Sequence, residues 1–398
     1  METTPVRVLL YSHDSQGLGH VRRNLTIAHH IAAAIPAATG RPVSGLLVSG
    51  LAPASVFPLP QGFDWLTIPG ISKGKDGYQP RSLGEPTHNL IRLRSELLKS
   101  TLLSFAPDLV IIDRNIYGVW KELFTPLEQL RTAHPHTSVV LGLREVLDEP
   151  AVAAAEWEAL GNPEQLCDIV DEVWVYGDPA VHNPLKTGEI PDFFTDRLRF
   201  TGYLANGRRV ADHDTTLAPE PFILTTAGGG SDGYHLLKSA TRIDVPAGHR
   251  HIIVTGPQLE ERAFKHIASL AGPNTEVHHS WPGLSTQIVR ASAVIAMGGY
   301  NTVCEILCTD TPGLLIPREH PRREQLIRAE SLHEARAIDY LRVGAVSTKA
   351  LSSWVADAVH RTVDRSSLAR DGLNVAAHYA TELINHTDLV STEGSTLK

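Results

Sequence analysis

The sequence of 398 residues predicts an α/β fold built from two doubly wound domains, and three observations carry that reading. Short apolar runs alternate with helical patterns along most of the chain, which is how a mostly parallel sheet covered on both faces is written. The pattern starts twice. A strand, a glycine-bearing loop and a helix open the chain at residues 6–35, and the same unit opens again at residues 222–241. Between the halves lies a polar stretch with no apolar periodicity, where a domain boundary belongs. The division expected is an N-terminal domain over 1–205, a linker over 206–219, a C-terminal domain over 220–370, and a helix with a tail over 371–398.

The first strand spans residues 6–11. The helix after it carries Val21, Leu25, Ala28, Ala32 and Ile35 on one face. Further β-type runs fall at 43–49, 64–68, 109–113, 138–143, 172–176 and 198–203, with helical patterns at 90–103 and 119–132. Residues 70–86 are polar and glycine-rich and read as a long loop near a ligand cleft. In the second half, strands are expected at 222–226, 252–255, 276–278, 293–296 and 313–316. Helices are expected at 234–241, 261–270, 284–291 and 323–335, then near 351–363 and 368–384, before a tail at 391–398. There is no short-period repeat.

Composition narrows the function. A net charge of −8 speaks against a nucleic-acid partner for the chain as a whole. Cys167, Cys304 and Cys308 are too few and wrongly spaced for a disulfide scaffold or a metal site, so reduced thiols in the cytoplasm are expected. No apolar run is long enough for a transmembrane helix, and the N-terminus lacks the pattern of a signal peptide.

Glycines at strand ends mark the candidate site. Gly228, Gly229 and Gly230 with Ser231 stand between a strand and a helix, where backbone N–H groups can surround an anion such as a diphosphate. Gly298 and Gly299 end the strand at 293–296 and precede a helix that Asn301 or Thr302 can cap. Glu305 follows one turn in. A carboxylate beside an anion site should address a neutral group such as ribose hydroxyls. Glu324 and Gln325 open another helix, and read either as ordinary first-turn chemistry or as contacts to sugar hydroxyls.

In the N-terminal half, Gly17 and Gly19 lead to His20. A histidine on an interdomain cleft could serve as general base, with His13 and Asp14 as neighbours that could share the role. Arg22 and Arg23 oppose the helix dipole unless an anion lies close. Asp113 and Arg144 end strands, where α/β sheets bind ligands, but surface salt bridges would explain them equally well. Trp281 reads as a half-buried core residue.

Together, Gly17-x-Gly19-His20-x-x-Arg23, Gly228-Gly229-Gly230-Ser231, Gly298-Gly299-x-Asn301-Thr302-x-x-Glu305 and Glu324-Gln325-x-x-Arg328-Ala329 resemble GT-B glycosyltransferases. Their architecture is two Rossmann-like domains with parallel sheets facing an interdomain cleft. Within them the chain is similar to the group containing the peptidoglycan N-acetylglucosaminyltransferase that forms lipid II, and to a bacterial branch of glycosyltransferases beside it. The resemblance implies a UDP-sugar donor on the C-terminal domain. Glu305 would hold the ribose, Gly229, Gly230 and Ser231 the diphosphate, and Gln325 the sugar, with Glu324 beside it. The acceptor would lie against the N-terminal domain near His13, Asp14, Gly17, Gly19, Arg23, Asp113 and Arg144, with His20 at the reacting carbon. No cofactor and no metal are implied, and inversion is expected. The peptidoglycan enzyme has a second glycine directly before the loop histidine, where this chain has Leu18-Gly19-His20. The Gly-His-x-x-Arg form also resembles a UDP-sugar hydrolase of pseudaminic acid synthesis. A hydrolase, an epimerase of the same architecture and a non-catalytic nucleotide-sugar-binding protein therefore stay open, as do the acceptor and the oligomeric state.

Overall fold

The computed structural model describes residues 4–13, 19–51, 57–74, 77–208, 221–230, 232–281 and 283–396. Asp14, Gly17, Ser231 and most of the expected linker lie outside them. The N-terminal half contains β1 (Val6–Tyr11), α1 (Gly19–Thr39), β2 (Val43–Ser49), β3 (Phe63–Thr67), β4 (Ile71–Gly74), β5 (Gly77–Pro80), α2 (Thr87–Phe105), β6 (Leu109–Asp113), α3 (Phe124–Ala133), β7 (Ser138–Arg144), α4 (Pro150–Glu158), α5 (Pro163–Ile169), β8 (Glu172–Tyr176) and β9 (Leu198–Phe200). The second half contains β10 (Phe222–Thr226), α6 (Tyr234–Ala240), β11 (Arg250–Val254), α7 (Glu261–Leu270), β12 (Thr275–His278), α8 (Leu284–Arg290), β13 (Ala293–Ala296), α9 (Tyr300–Leu307), β14 (Gly313–Leu315), α10 (Glu324–Glu334), β15 (Asp339–Tyr340), α11 (Thr348–Ala358) and α12 (Gly372–Thr396).

Two parallel sheets result. The first has the order β3-β2-β1-β6-β7-β8-β9 and the second β12-β11-β10-β13-β14-β15. Their central strands β6, β10 and β13 are buried along their whole length, as continuous apolar runs in doubly covered sheets should be. Strand order reverses between β1 and β6 in one sheet and between β10 and β13 in the other. Connections diverge there, which opens a crevice at the carboxyl edge of each sheet.

Residues 71–74 and 77–80, expected as part of a loop, pair as antiparallel strands instead. Ile71 is buried with Leu90 and Val119, and Tyr78 packs edge-on to Trp120, so local apolar contacts outweigh the polar composition. The last helix also differs from expectation: it runs through the residues expected as a tail, to Thr396. Its apolar face, Leu373, Ala376, Ala377, Ala380 and Ile384, shares a core with Ile27, Ile31 and Ile35 of α1. The chain thus returns to the first sheet, where Tyr379 donates to the Phe200 carbonyl at 3.0 Å and Leu204 bridges Asp371.

The halves are tied by one buried ion pair. Arg328 of α10 reaches Glu145, just beyond β7, at 2.6 Å, and both side chains are 0% exposed. Tyr300 adds a second tie: its hydroxyl donates to the Tyr176 carbonyl at 2.9 Å and accepts the Leu204 N–H at 3.3 Å. Glu145→Ala strands the Arg328 charge and is expected to cost about 3–5 kcal/mol in urea unfolding. The double variant Glu145→Leu/Arg328→Met, which removes both charges, should cost clearly less than that single change.

Candidate functional site

The crevice of the first sheet is built by the loops after β1 and β6. His20 lies in the first turn of α1, and its Nδ1 is 2.5 Å from Asp113 Oδ2 at the end of β6. Arg23, one turn along, donates to both Asp113 oxygens at 2.7 Å. Asp113 is fully buried. Burial alone would raise its pKa, but the neighbouring Arg23 and His20 hold the carboxyl well below the usual carboxylate range. An ionised Asp113 fixes the histidine tautomer, with the proton on Nδ1 and the lone pair on Nε2. For His20 itself burial is the largest influence and lowers its pKa, against the opposing pull of Asp113. The ring is therefore neutral at physiological pH, the state a general base requires. His13 is also kept neutral: burial, then the nearby His20 and Arg114, pushes its pKa down to about 3. Its ring meets His20 edge-on at 5.7 Å and is bonded by the Asn115 side chain at 3.2 Å.

The surface-salt-bridge reading of the strand-end charges does not hold. Asp113 is buried in this cluster, and Glu145, adjacent to Arg144, is buried against Arg328. Arg144 ends β7 beside Tyr176, and its Nε is buried without a partner among the described residues.

The crevice of the second sheet is built by the loops after β10 and β13. Gly230 adopts φ +96°, and a Cβ there would stand 2.5 Å from the Thr255 carbonyl oxygen, so only glycine fits without strain. The three loop amides do not all point outward as expected. Gly228 N–H donates to Thr226 Oγ1 at 3.2 Å and Gly230 N–H to the Ala227 carbonyl at 3.3 Å. Among the described residues only Gly229 N–H of the three has no bond within the chain. A Cβ on Gly228 would lie 3.8 Å from Thr302 Oγ1, which places the two glycine loops side by side. A Cβ on Gly298 would crowd Gln325 at 3.1 Å, whereas Gly299 faces open space.

Gly299 caps α9, and no side chain bonds the cap, contrary to the expectation for Asn301 or Thr302. Asn301 is engaged elsewhere: its Nδ2 donates to the Gly19 carbonyl at 2.9 Å, and its Oδ1 accepts from Arg208 at 3.1 Å. Glu305 is buried and its Oε1 lies 2.5 Å from Arg22. The anions that α1 needs beside its two arginines are therefore Asp113 and Glu305. Glu324 is buried and paired with Arg318 at 2.5 Å; its Oε2 has no partner among the described residues. Gln325 Oε1 accepts the Arg318 N–H at 3.1 Å. A cavity of about 450 Å³ between these two loops is lined by Asp232, Met297, Ile316, Arg318 and His320, among others.

Catalytic-side and nucleotide-side candidates thus meet across one cleft. Arg22, Arg208 and Tyr300 were not singled out as site residues from sequence. Of these, only Arg22 carried a signal, a cation at a helix start. Among the described residues no helix is long and apolar enough to cross a membrane.

Residues 228–379 match the family model for the glycosyltransferase family 28 C-terminal domain. No curated protein sequence matches the chain. Solved structures of similar fold include MurG of Acinetobacter baumannii, at 15% identity over 96% of this chain and 100% of that one, with a TM-score of 0.54. The spinosyn forosaminyltransferase SpnP is 15% identical over 99% and 100%, with a TM-score of 0.59. A UDP-glucose:anthocyanidin 3-O-glucosyltransferase in complex with UDP is 10% identical over 97% and 100%, with a TM-score of 0.60. These likenesses give the fold as GT-B, and residues 228–379 carry the likeness to the glycosyltransferase family 28 C-terminal domain.

Gly230→Ala should lower stability by about 1–3 kcal/mol in thermal or urea unfolding, because a Cβ in this backbone region is strained and meets backbone rather than a side chain that can move.

Proposed function

We propose that the protein transfers a sugar from a UDP-sugar to a hydroxyl-bearing acceptor, with inversion and without a metal. The observation that supports this most is the direct approach of the two crevices: Gly19, beside His20, touches Asn301 of the nucleotide-side helix at 2.9 Å. A donor whose diphosphate lies on the glycine loops would have its anomeric carbon between the sheets, within reach of an acceptor held at His20.

In this reading Asp113 orients His20, and Nε2 takes the proton from the acceptor hydroxyl as its oxygen attacks the anomeric carbon. The bond from that carbon to the diphosphate breaks, and the leaving group carries the negative charge. Gly229 N–H and the N-terminal amides of α9 stabilise it, an electrostatic contribution often worth several kcal/mol. Glu324 and Gln325 border the sugar. Water could replace the alcohol at the same base, so product analysis decides the acceptor class. UDP release that depends on an added acceptor, with the sugar attached to it, supports transfer. Stoichiometric free sugar without acceptor would replace transfer by hydrolysis.

Glu305 supports a ribose contact by its place in α9, but its Oε1 is engaged by Arg22. Ribose hydroxyls and Arg22 would then compete for one carboxylate. Glu305→Ala should weaken UDP binding by about 1.5–3 kcal/mol, while Arg22→Ala should tighten it by about 0.2–1 kcal/mol, the range of a partly exposed ion pair. Calorimetry with UDP checks both; weakening by both variants would remove the competition.

His20→Ala should lower kcat by roughly 10²–10⁴-fold with UDP affinity kept. Because burial lowers the His20 pKa, the base stays neutral to below its ordinary value of about 6.5. The acid limb of the kcat/KM profile is therefore expected below that pH. Asp113→Asn removes the carboxylate that raises this pKa, so the limb should move lower still while the plateau falls.

A further inference from the structure

Most arginines around the cleft are neutralised by a carboxylate. Arg23 has Asp113 at 2.7 Å, Arg114 has Glu156 at 3.2 Å, Arg318 has Asp232 at 3.0 Å, and Arg328 has Glu145 at 2.6 Å. Arg322 has Asp148 at 3.2 Å. Arg144 stands among them with no ion pair and no hydrogen bond to a described residue, and its Nε is buried. It ends β7, the strand hydrogen-bonded to β6, whose last residue is the Asp113 that holds His20. Asp113 is in register with Gly142, two residues before Arg144 on the same side of the strand. On the far side of the cleft stands Glu324, whose Oε2 is also buried without a partner among the described residues. The Glu324 carboxylate acts on Arg144 electrostatically, yet the two form no ion pair.

The electrostatics agree. Burial first, then the neighbouring Arg114 and Arg328, pushes Arg144 from 12.5 down to about 9, against the opposing pull of Glu324. Arg23 and His20 also face it. A guanidinium whose pKa is lower folded than unfolded costs stability wherever it is charged, including at neutral pH. A purely structural arginine would be paired; one kept here at a cost is suited to a partner that arrives with the substrate.

We propose that Arg144 is the recognition residue for an anionic group, a carboxylate or a phosphate, carried by the acceptor beside the hydroxyl that His20 deprotonates. The planar guanidinium fork suits either group, and either would relieve the surrounding positive charge. The placement on the N-terminal sheet favours the acceptor as the source; the donor diphosphate has the same chemistry and is separated from it below. The inference rests on the transfer reading for the roles of the two sides of the cleft, but its test does not require turnover.

The probe is inorganic phosphate, added to the full chain with and without saturating UDP and followed by thermal shift. With UDP bound, phosphate should raise the melting temperature of the wild type saturably. Arg144→Gln should lose that rise and Arg144→Lys should keep part of it. Without ligand, Arg144→Gln should melt at or above the wild-type temperature, which shows that the variant folds. UDP affinity should be unchanged in Arg144→Gln. If UDP instead abolishes the phosphate effect and Arg144→Gln weakens UDP by roughly tenfold or more, the anion is the donor diphosphate and the acceptor assignment is overturned. Equal phosphate shifts in wild type and Arg144→Gln, or a ligand-free melting temperature several degrees lower in the variant, would overturn the anion site itself. Phosphate binding through Arg144 in a chain that transfers no sugar would leave the site standing and remove the transfer reading.

Discussion

The pair between Arg328 and Glu145 sets the relation between the halves on which the cleft depends. Two ions taken out of water cost several kcal/mol each, and only close geometry with further bonds recovers that cost. Arg328 meets the condition: besides Glu145 it donates to the Gly298 carbonyl at 2.9 Å, and its guanidinium lies 5.6 Å from the Tyr300 ring. Arg23 approaches the same ring at 5.5 Å. One aromatic residue at the start of α9 thus lies between a cation of the first sheet's cluster and a cation of its own domain, within the range of cation–π attraction. The Gly298 turn is held by the same arginine that docks the domains, so domain placement and nucleotide-loop geometry share one side chain.

Topology supplies the rest. A parallel sheet directs all its strand ends to one edge, and the reversal of order opens a gap there. Both sheets do this once, and their two gaps face each other. The first gap collects His20, Asp113 and Arg23; the second collects the glycine turns and Glu305. Charge follows the same division. The first sheet's side concentrates arginines, each compensated among the described residues apart from Arg144, and keeps both of its histidines neutral by burial. The second sheet's side presents glycine turns, whose backbone amides can stabilise an anion with no proton to lose.

Much of this was legible in the sequence because it is local. The runs at 6–11, 43–49, 109–113, 172–176 and 222–226 are apolar over the length of a strand, and they fold as strands with those bounds. The glycine turns and the helix starts after them were equally readable. What escaped was long-range. The helix α12 has an ordinary amphipathic pattern, and nothing in that pattern says that its face belongs to α1 at the other end of the chain. The strand pair β4 and β5 is polar by composition and is organised by Ile71 and Tyr78 against residues of other elements. Asn301 has the chemistry of a cap, but a carbonyl 282 positions away along the chain takes its side chain. The partner of Arg22 is equally remote. Its presence was announced by an unfavourable charge at a helix start, whereas its identity required the fold.

The first turn of α1 shows how one short segment serves both halves. A helix advances about 100° per residue, so His20 and Arg23 lie on one face and Arg22 is turned away from them. The shared face is taken by Asp113 of the same domain. The other direction reaches Glu305 of the opposite domain. A group that displaced Arg22 from Glu305 would therefore break a contact between the domains without touching the bonds that orient His20. Arg208 and Asn301, bonded to each other at 3.1 Å beside Glu305, would remain to shape that end of the cleft. His20 is held by its own domain and Glu305 by a partner from across the cleft. Under the proposed function, that division would let the donor end exchange its ligand while the geometry of His20 stays fixed.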